Sequence, residues 1–449
     1  MSTINENGTN RKRVCVCVLG DIGHSPRMQY HSLSLAQSGF DVDIVGYHES
    51  KPHEHLLSNP RIKIHPVRPY KNINFLPKHL NYILKVIVQL FYLFYTFLQI
   101  ITPSHILVQN PPSIPALFVV WLVARIRGAY FVIDWHNYGY SILSLSLGES
   151  HLFVRIYRWL EMSLGKRADF AFCVSKSMQN DLLDRLGIKA IVLYDKPYSY
   201  FKPLSSLDRH DFLVKLQVEH SQLKPQNVNS DHETLFTKMD QLTGNIEIKK
   251  DAPILLVSST SWTEDEDFQI LLDALYEFDC EHVERLVNSN GDTKVLCVIT
   301  GKGPLKQYYI DKLTDYGFKH TKFLFPWLAA EDYPTMLGSA DLGICLHKSS
   351  SGLDLPMKVV DMFGSRLPVC AYRYQTISEL VHERKNGLLF DDSQQLVERL
   401  VELFADYPKC DRLKQYRSHI EDNFCKHDWD LNWRQNALPV FTLQSMVTR

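Results

Sequence analysis

Short runs of aliphatic and β-branched residues recur along the chain and alternate with stretches of helical period. Val14–Leu19 is the first such run, closed by Gly20, and a helical stretch follows from Pro26 to Ser38 with Gly39 as its stop. Val42–Val45, Ile62–His65, Ile106–Val108, Tyr130–Asp134, Phe170–Val174 and Ile191–Leu193 continue the strand series. After Leu193 the texture changes. Residues 195–250 mix Pro, Ser, Asn and charges with little periodicity, which predicts a crossover and then a surface insertion. Alternation resumes with strands over Ile254–Ser258, Val295–Thr300, Phe323–Phe325, Leu342–Leu346 and Val369–Ala371. Helices are expected over Phe268–Phe278, Leu305–Tyr316 and Met357–Gly364, and the tail His427–Val440 also reads as helical. Strands that are apolar throughout and separated by helices predict parallel sheets covered on both faces. The predicted class is α/β, with two Rossmann-like domains facing a cleft. The expected boundaries are a disordered 1–12, a first domain 13–200, a linker or insertion 201–250, a second domain 251–425 and a closing helix 426–449 that crosses back.

One segment breaks the pattern. Val86–Ser104 carries no formal charge, a length at the lower edge for a membrane-spanning helix. Gln89, Gln99 and interleaved Tyr and Thr soften it, and Lys78 and Lys85 precede it. A buried core helix, a helix lying in the membrane interface and a true span stay open; the basic rim favours the second. A span would cut the first sheet in two.

Composition narrows the class. The 449 residues are 45% hydrophobic and 22% charged, which excludes disordered, collagen-like and coiled-coil chains. At about 150 residues per domain, two large domains or three ordinary ones fit. The net charge of −1 gives no support to a broad nucleic-acid surface. The 7 Trp, 22 Tyr and 23 Phe point to a lipid-facing or sugar-facing surface. The nine cysteines are scattered, and Cys15, Cys17, Cys173, Cys297 and Cys345 sit inside apolar runs as small core residues. None has metal-site spacing, so no metal centre is expected. Free thiols in strands fit a reducing compartment. The opening MSTINENGTNRKRV has no apolar core and is not a secretory signal.

Candidate chemistry lies where strands end. Gly20-Asp21-Ile22-Gly23-His24-Ser25-Pro26 runs from the first strand into a helix; it is either an anion-friendly turn or simply a tight one, and it is not GxGxxG. Gly301-Lys302-Gly303-Pro304 repeats the arrangement in the second half, with a Lys placed to meet a phosphate or left in solvent. The stretch from His347 to Asp361 carries the most. Ser350, Ser351, Gly352 and Leu353 offer hydroxyls and amides before a helix, Lys358 stands one turn inside it, and Asp361 follows on nearly the same face. That combination fits a diphosphate and a ribose diol. Glu379 and Asn386-Gly387-Leu388-Leu389 close the unit. In the first half, Asp134-Trp135-His136-Asn137 and Gln109-Asn110-Pro111-Pro112-Ser113 stand at strand ends, where ligands gather.

These motifs carry a family resemblance. The Gly301–Pro304 turn, Pro356-x-Lys358-x-x-Asp361, Leu367-Pro368-Val369 and Asn386-Gly387-Leu388 resemble the nucleotide-sugar domain of GT-B glycosyltransferases. Gly20–Met28, Val108–Ser113, Ile133–Asn137, Trp262–Asp267 and Ser350–Lys358 resemble the chitobiosyldiphosphodolichol β-mannosyltransferases more closely. The likeness runs from about Arg13 to Trp433 and misses mainly 203–250. It implies transfer of mannose from GDP-mannose to GlcNAc2-diphosphate-dolichol through a β-1,4 linkage on the cytosolic face of the endoplasmic reticulum. Other early transferases of that pathway are the implied partners. Such proteins usually begin with a membrane anchor, so here the Val86–Ser104 helix or a partner is expected to hold the chain at the membrane. Many relatives in the wider superfamily carry a basic residue after the first strand of the second domain, where Ser258-Ser259-Thr260-Ser261-Trp262 stands here.

Inversion at the sugar needs a base for the acceptor hydroxyl and stabilisation of the departing nucleoside diphosphate. His136, Asp134 and His24 are the candidate bases, in that order. Gly301, Lys302, Gly303, Lys358 and the Ser350–Leu353 amides would serve the donor diphosphate, and Asp361 and Glu379 its hydroxyls. Gly20, Asp21, Gly23, Gln109, Asn110 and Asn137 are assigned to the acceptor side. No resident cofactor is required, and a loosely held Mg²⁺ on the donor stays open. A related transferase with another donor or lipid and a silent scaffold subunit are the alternatives. A dehydrogenase fits worse, because neither glycine turn has the dinucleotide pattern.

Overall fold

A computed structural model describes residues 12–442 apart from 75, 199, 221–222, 224–231, 288–292, 330 and 427. The expectation of disorder over 1–12 therefore lies almost wholly outside the described residues. The chain divides into two compact units, Met1–Asp195 with Trp429–Arg449, and Lys196–Asp428.

The first unit runs β1 (Arg13–Asp21), α1 (Pro26–Gln37), β2 (Asp41–Tyr47), α2 (Glu54–Leu57), β3 (Ile62–Pro66), α3 (Lys78–Gln99) and β4 (His105–Asn110). It continues with α4 (Ala116–Arg127), β5 (Tyr130–Trp135), α5 (Gly139–Leu147), α6 (Leu152–Gly165), β6 (Phe170–Cys173), α7 (Lys176–Leu186) and β7 (Ile191–Val192). All seven strands are parallel in the order β3-β2-β1-β4-β5-β6-β7. The order reverses between β1 and β4, so the loops after these two strands part and leave a crevice. Val14, Val16, Val42, Ile44, Leu107, Val132 and Phe172 form the buried sheet face. The chain's last helices complete it, with Trp429 and Trp433 packed into the same cluster. Trp433 Nε1 donates to His31 Nδ1 (3.0 Å) and Trp429 Nε1 to Ser34 Oγ (2.9 Å). The local stops follow the sequence: α4 and α7 end at Gly128 and Gly187, both left-handed, and Ser175 Oγ caps α7.

α3 is one unbroken helix between β3 and β4, so it leaves the sheet whole. Leu93 and Phe97 are fully buried on its inner side, whereas Phe91, Tyr95 and Leu98 are 60% or more exposed on the other. It is not a buried core helix. It is the one helix among the described residues long and apolar enough to cross a membrane.

The second unit begins with α8 (Ser206–Glu219) and the antiparallel hairpin β8 (Thr237–Met239) and β9 (Ile246–Ile248). Its sheet follows: β10 (Ile254–Ser259), α9 (Phe268–Glu277), α10 (Val283–Leu286), β11 (Val295–Thr300), α11 (Lys306–Leu313), β12 (Thr321–Leu324) and α12 (Asp332–Ser339). Then come β13 (Leu342–Cys345), α13 (Met357–Gly364), β14 (Val369–Tyr372), β15 (Gly387–Phe390), α14 (Ser393–Phe404) and α15 (Asp411–Ile420). α16 (Trp429–Asn436) and α17 (Leu438–Thr442) belong to the first unit. The six sheet strands are parallel in the order β12-β11-β10-β13-β14-β15, again with a reversal, here between β10 and β13. The segment expected to be an irregular insertion contains α8, which buries Phe212, Leu213 and Leu216 and is capped by Ser205 Oγ. Its apolar positions are helically spaced, but charges between them dilute the signal. β15 was not expected as a strand; it pairs in register with β14, and a Cβ on Gly387 would stand 2.5 Å from the Val369 carbonyl oxygen.

Candidate active site

In the first unit the predicted residues gather at the β1/β4 reversal and at the end of β5. Asp134 is fully buried near that end. Its Oδ2 accepts from Arg27 Nε (2.7 Å) and lies 2.9 Å from His136 Nε2 and 3.2 Å from His31 Nε2. Its Oδ1 accepts from Arg27 Nη2 at 2.9 Å. Arg27, on the first turn of α1, is itself 3% exposed and donates also to the Leu193 carbonyl (2.6 Å) and Asp195 (2.9 Å). Burial alone would raise the Asp134 pKa, but Arg27 and His136 hold it well below the carboxylate range. Burial lowers that of His31 despite Asp134 beside it. Asp134 is thus a fixed anion with no exposed oxygen, and its place is to orient His136. The His136 ring is partly exposed, and its backbone amide donates to the Asn110 carbonyl at 2.8 Å. An imidazole held this way can take a proton.

Most of the neighbouring predicted residues are tied into these loops by hydrogen bonds. Asp21 accepts from the amides of Gly23, Glu49 and Ser50 and pairs with His24 Nδ1 at 3.1 Å. Burial opposes ionisation of Asp21, but hydrogen bonds from Ser50, Glu49 and Gly23 outweigh it and lower the pKa. A Cβ on Gly23 would stand 2.8 Å from the Ser50 carbonyl, so the turn needs its glycine. Gly20 is the second-last residue of β1, and Gln109 Nε2 donates to the Pro111 carbonyl. His24 is highly exposed and faces Asp21 and Ser50. Asn110 is buried; it donates to the Asn137 carbonyl (3.1 Å) and to Glu161 (2.7 Å). Asn137 Oδ1 accepts from the Tyr138 amide. Glu161, on α6, escaped the sequence reading. It is fully buried and accepts from Asn110, Ser113 Oγ (2.6 Å) and the amides of Gly139 (2.8 Å) and Tyr140 (3.1 Å). Burial, partly offset by those bonds, raises its pKa. Its signal was an acid with no other acid on a helix of apolar and basic residues.

In the second unit the loops after β10 and β13 meet. Gly301 has φ +125°, and a Cβ there would stand 1.8 Å from the Thr260 carbonyl oxygen; one on Gly303 would stand 1.7 Å from that of Ser261. These glycines let two backbones cross, which is the reason for the Gly-Lys-Gly pattern. Lys302 between them is exposed, with Nζ 3.6 Å from the Trp327 ring centre. Lys358 is placed differently. Its ammonium pairs with the buried carboxylate of Glu266, and burial lowers its pKa to about 8. The other Glu266 oxygen accepts from Thr260 Oγ1 and the Ser261 amide. The loop after β10 thus supplies an acid and α13 the cation. Glu266 stands within the Trp262–Asp267 motif, where residue type alone assigns it no role.

His347, just after β13, stands between Asp265 (3.3 Å) and Asp354 (3.4 Å). Burial opposes its charge, but the two carboxylates raise its pKa to about 9, so it is a cation at neutral pH. The serine loop folds on itself: the Leu353 amide donates to Ser351 Oγ, Ser349 pairs with Asp354, and Gly352 has φ +74°. Ser350 lies in this loop. Asp361 lies one turn beyond Lys358 on α13, and after burial it is a main cause of the raised pKa values of Tyr200 (about 12) and Tyr333. Glu379 closes a short turn, Ile377–Glu379. The structure therefore joins Lys358, Glu266 and His347 in one network and sets Lys302 apart on Trp327. Among the described residues, Glu277, Glu281 and His282 are spaced as metal ligands, but they stand at the far end of α9, away from the strand carboxyl ends.

The comparisons agree with this layout. A glycosyl transferase 4-like domain model matches residues 23–193 and a glycosyl transferases group 1 model matches 250–419. A mouse protein named chitobiosyldiphosphodolichol beta-mannosyltransferase is 43% identical over 446 residues, covering 98% of this chain and 92% of its own. An Arabidopsis thaliana protein named UDP-glycosyltransferase TURAN is 44% identical over 458 residues, covering 96% and 97%. The crystal structure of Anabaena HepE in complex with UDP superposes with a TM-score of 0.61 at 17% identity, over 96% of this chain and 100% of that one, which shows the GT-B fold. With two parallel-sheet units, a domain model on each and relatives matched along nearly the whole length, the chain is a glycosyltransferase and belongs to the chitobiosyldiphosphodolichol beta-mannosyltransferase family.

Proposed function

We propose that this enzyme moves mannose from GDP-mannose to GlcNAc2-diphosphate-dolichol, with inversion and a β-1,4 linkage, on the cytosolic face of the endoplasmic reticulum. The observation that carries the reading is the 43% identity over 98% of the chain to a protein named for that acceptor. In the proposed step the acceptor hydroxyl oxygen attacks the mannose C1. The bond from C1 to the β-phosphate oxygen breaks, GDP leaves, and the hydroxyl proton passes to a base. His136 is that base; its position on a fixed, buried Asp134 supports it over Asp134 itself and over His24. Lys358 and the Ser350–Leu353 loop hold the diphosphate, with Lys302 as an outer cation, and Asp361 and Glu379 take ribose or mannose hydroxyls. Gln109, Asn110, Asn137 and the Gly20–Gly23 turn shape the acceptor side. No resident cofactor enters this scheme, and any Mg²⁺ would arrive with the donor. α3 lies in the membrane interface, and other early transferases of the same pathway are the partners.

The test is a single-turnover assay with labelled GDP-mannose, UDP-glucose and UDP-GlcNAc and a short-chain GlcNAc2-diphosphate-lipid. A β-mannosylated trisaccharide lipid from GDP-mannose alone is expected. The Arabidopsis relative's name favours a second reading, a uridine-diphosphate donor, which product from either UDP-sugar would establish. GDP binding without transfer from any donor would leave a scaffold subunit.

A further inference from the structure

α6 has two unlike faces. Leu152, Ile156 and Trp159, spaced to lie along one stripe, are 63%, 45% and 66% exposed. Val154, Tyr157, Glu161 and Leu164 on the other side are buried. α5, packed against α6, adds exposed Ile142 and Leu145. α4 packs against both α6 and α3 and links the two helices. A surface of this kind marks an interaction site. Its charges identify the partner. Across α3, α4, α5 and α6 the sole acid is Glu161, which is fully buried, while Lys85, Arg125, Arg155 and Arg158 are exposed. Glu149, in the loop between α5 and α6, is the nearby exception. Large apolar side chains rimmed by charges of one sign match a bilayer surface with anionic headgroups.

We propose that the α5–α6 hairpin is a second membrane contact, separate from α3, that docks the first unit on anionic lipid and fixes its depth. The hairpin is tied to the candidate site. α5 starts three residues after His136, and Glu161 on α6 binds the amides of Gly139 and Tyr140 and the side chains of Asn110 and Ser113. The depth set by Trp159 is thereby passed to the loops that carry His136 and Asn137, at the level where a lipid-borne diphosphate would lie. This inference rests on the proposed lipid acceptor only for that last consequence; the docking itself is measured without substrate.

The experiment is flotation of the full chain with phosphatidylcholine vesicles and with equimolar phosphatidylcholine–phosphatidylserine vesicles. The native chain is expected to bind the anionic vesicles more tightly. L152S/I156S/W159S should weaken that binding roughly a hundredfold even with α3 intact. Its turnover of a water-soluble, short-chain acceptor should stay unchanged, which separates a docking failure from a failure of the catalytic reading. Brominated lipid should quench part of the native tryptophan fluorescence, and W159F should remove that part; this holds the proposal to account if the triple variant does not fold. Native-level flotation of the triple variant, quenching unaltered by W159F, or equal binding to neutral vesicles would each overturn it. So would a lipid-free dimer that the triple variant dissolves, because the face would then be a self-interface.

Discussion

Asp134→Asn separates what the buried network does for stability from what it does for catalysis. The native carboxylate is fully buried and receives both Arg27 nitrogens, at 2.7 and 2.9 Å, with His136 at 2.9 Å. Removing the charge leaves a guanidinium that is 3% exposed and has lost its bidentate partner. Breaking a buried ion pair costs about 3–5 kcal/mol. Arg27 keeps Asp195 at 2.9 Å and the Leu193 carbonyl at 2.6 Å, so the lower end, about 3 kcal/mol, is expected. His136 loses the carboxylate that orients it, and turnover should fall by about 10²–10⁴-fold. Urea denaturation gives the first quantity and the single-turnover assay the second. The double variant Arg27→Met, Asp134→Leu should regain part of the stability, since it removes both charges of this pair but leaves Asp195 without its cation, and should stay inactive. The acid side gives an independent check. The folded-state pKa of Asp134 is depressed, so its stabilisation is present above the unfolded value of about 3.9 and is lost as pH falls below it. The variant should lack that part of the acid transition. A variant within about 1 kcal/mol of native stability that keeps native turnover would refute the reasoning, because no buried pair this well connected should be dispensable.

Lys358→Ala should lower turnover by about 10²–10³-fold if the ammonium meets the leaving diphosphate, and it strands Glu266 in the interior. Adding Glu266→Gln should restore stability, read by thermal melting, but not turnover. Gly303→Ala forces a Cβ to 1.7 Å from a backbone oxygen, so a loss of about 3 kcal/mol or more is expected in denaturation, or no folded protein at all. His347 has a folded-state pKa raised to about 9, so its contribution is full below about 6.5 and fades as pH rises through 9. Melting temperature should fall over that interval in the native chain, and His347→Asn should flatten that part of the profile.

The sequence by itself determined the two sheets. Runs such as Val14–Leu19 and Val295–Thr300 have no polar face to show water, so they form interior parallel strands whatever surrounds them. It also placed the chemistry at strand ends, because Asp134-Trp135-His136 and the serine loop before Lys358 stand where an apolar run stops. The roles within those motifs were decided only by the fold. Asp134 ranked as a base on residue type, yet Arg27, far away in sequence, reaches it and makes it a fixed anion. Lys302 and Lys358 look alike as lysines near glycines or a helix start. One rests on exposed Trp327, and the other is drawn inside against Glu266 from a different loop. Glu161 could not be told from a surface acid until the helix carrying it turned that face inward. Patterning records which residues leave water, a local property. The charge and proton affinity of a buried group depend on partners brought together from distant segments, and only the tertiary structure supplies those distances.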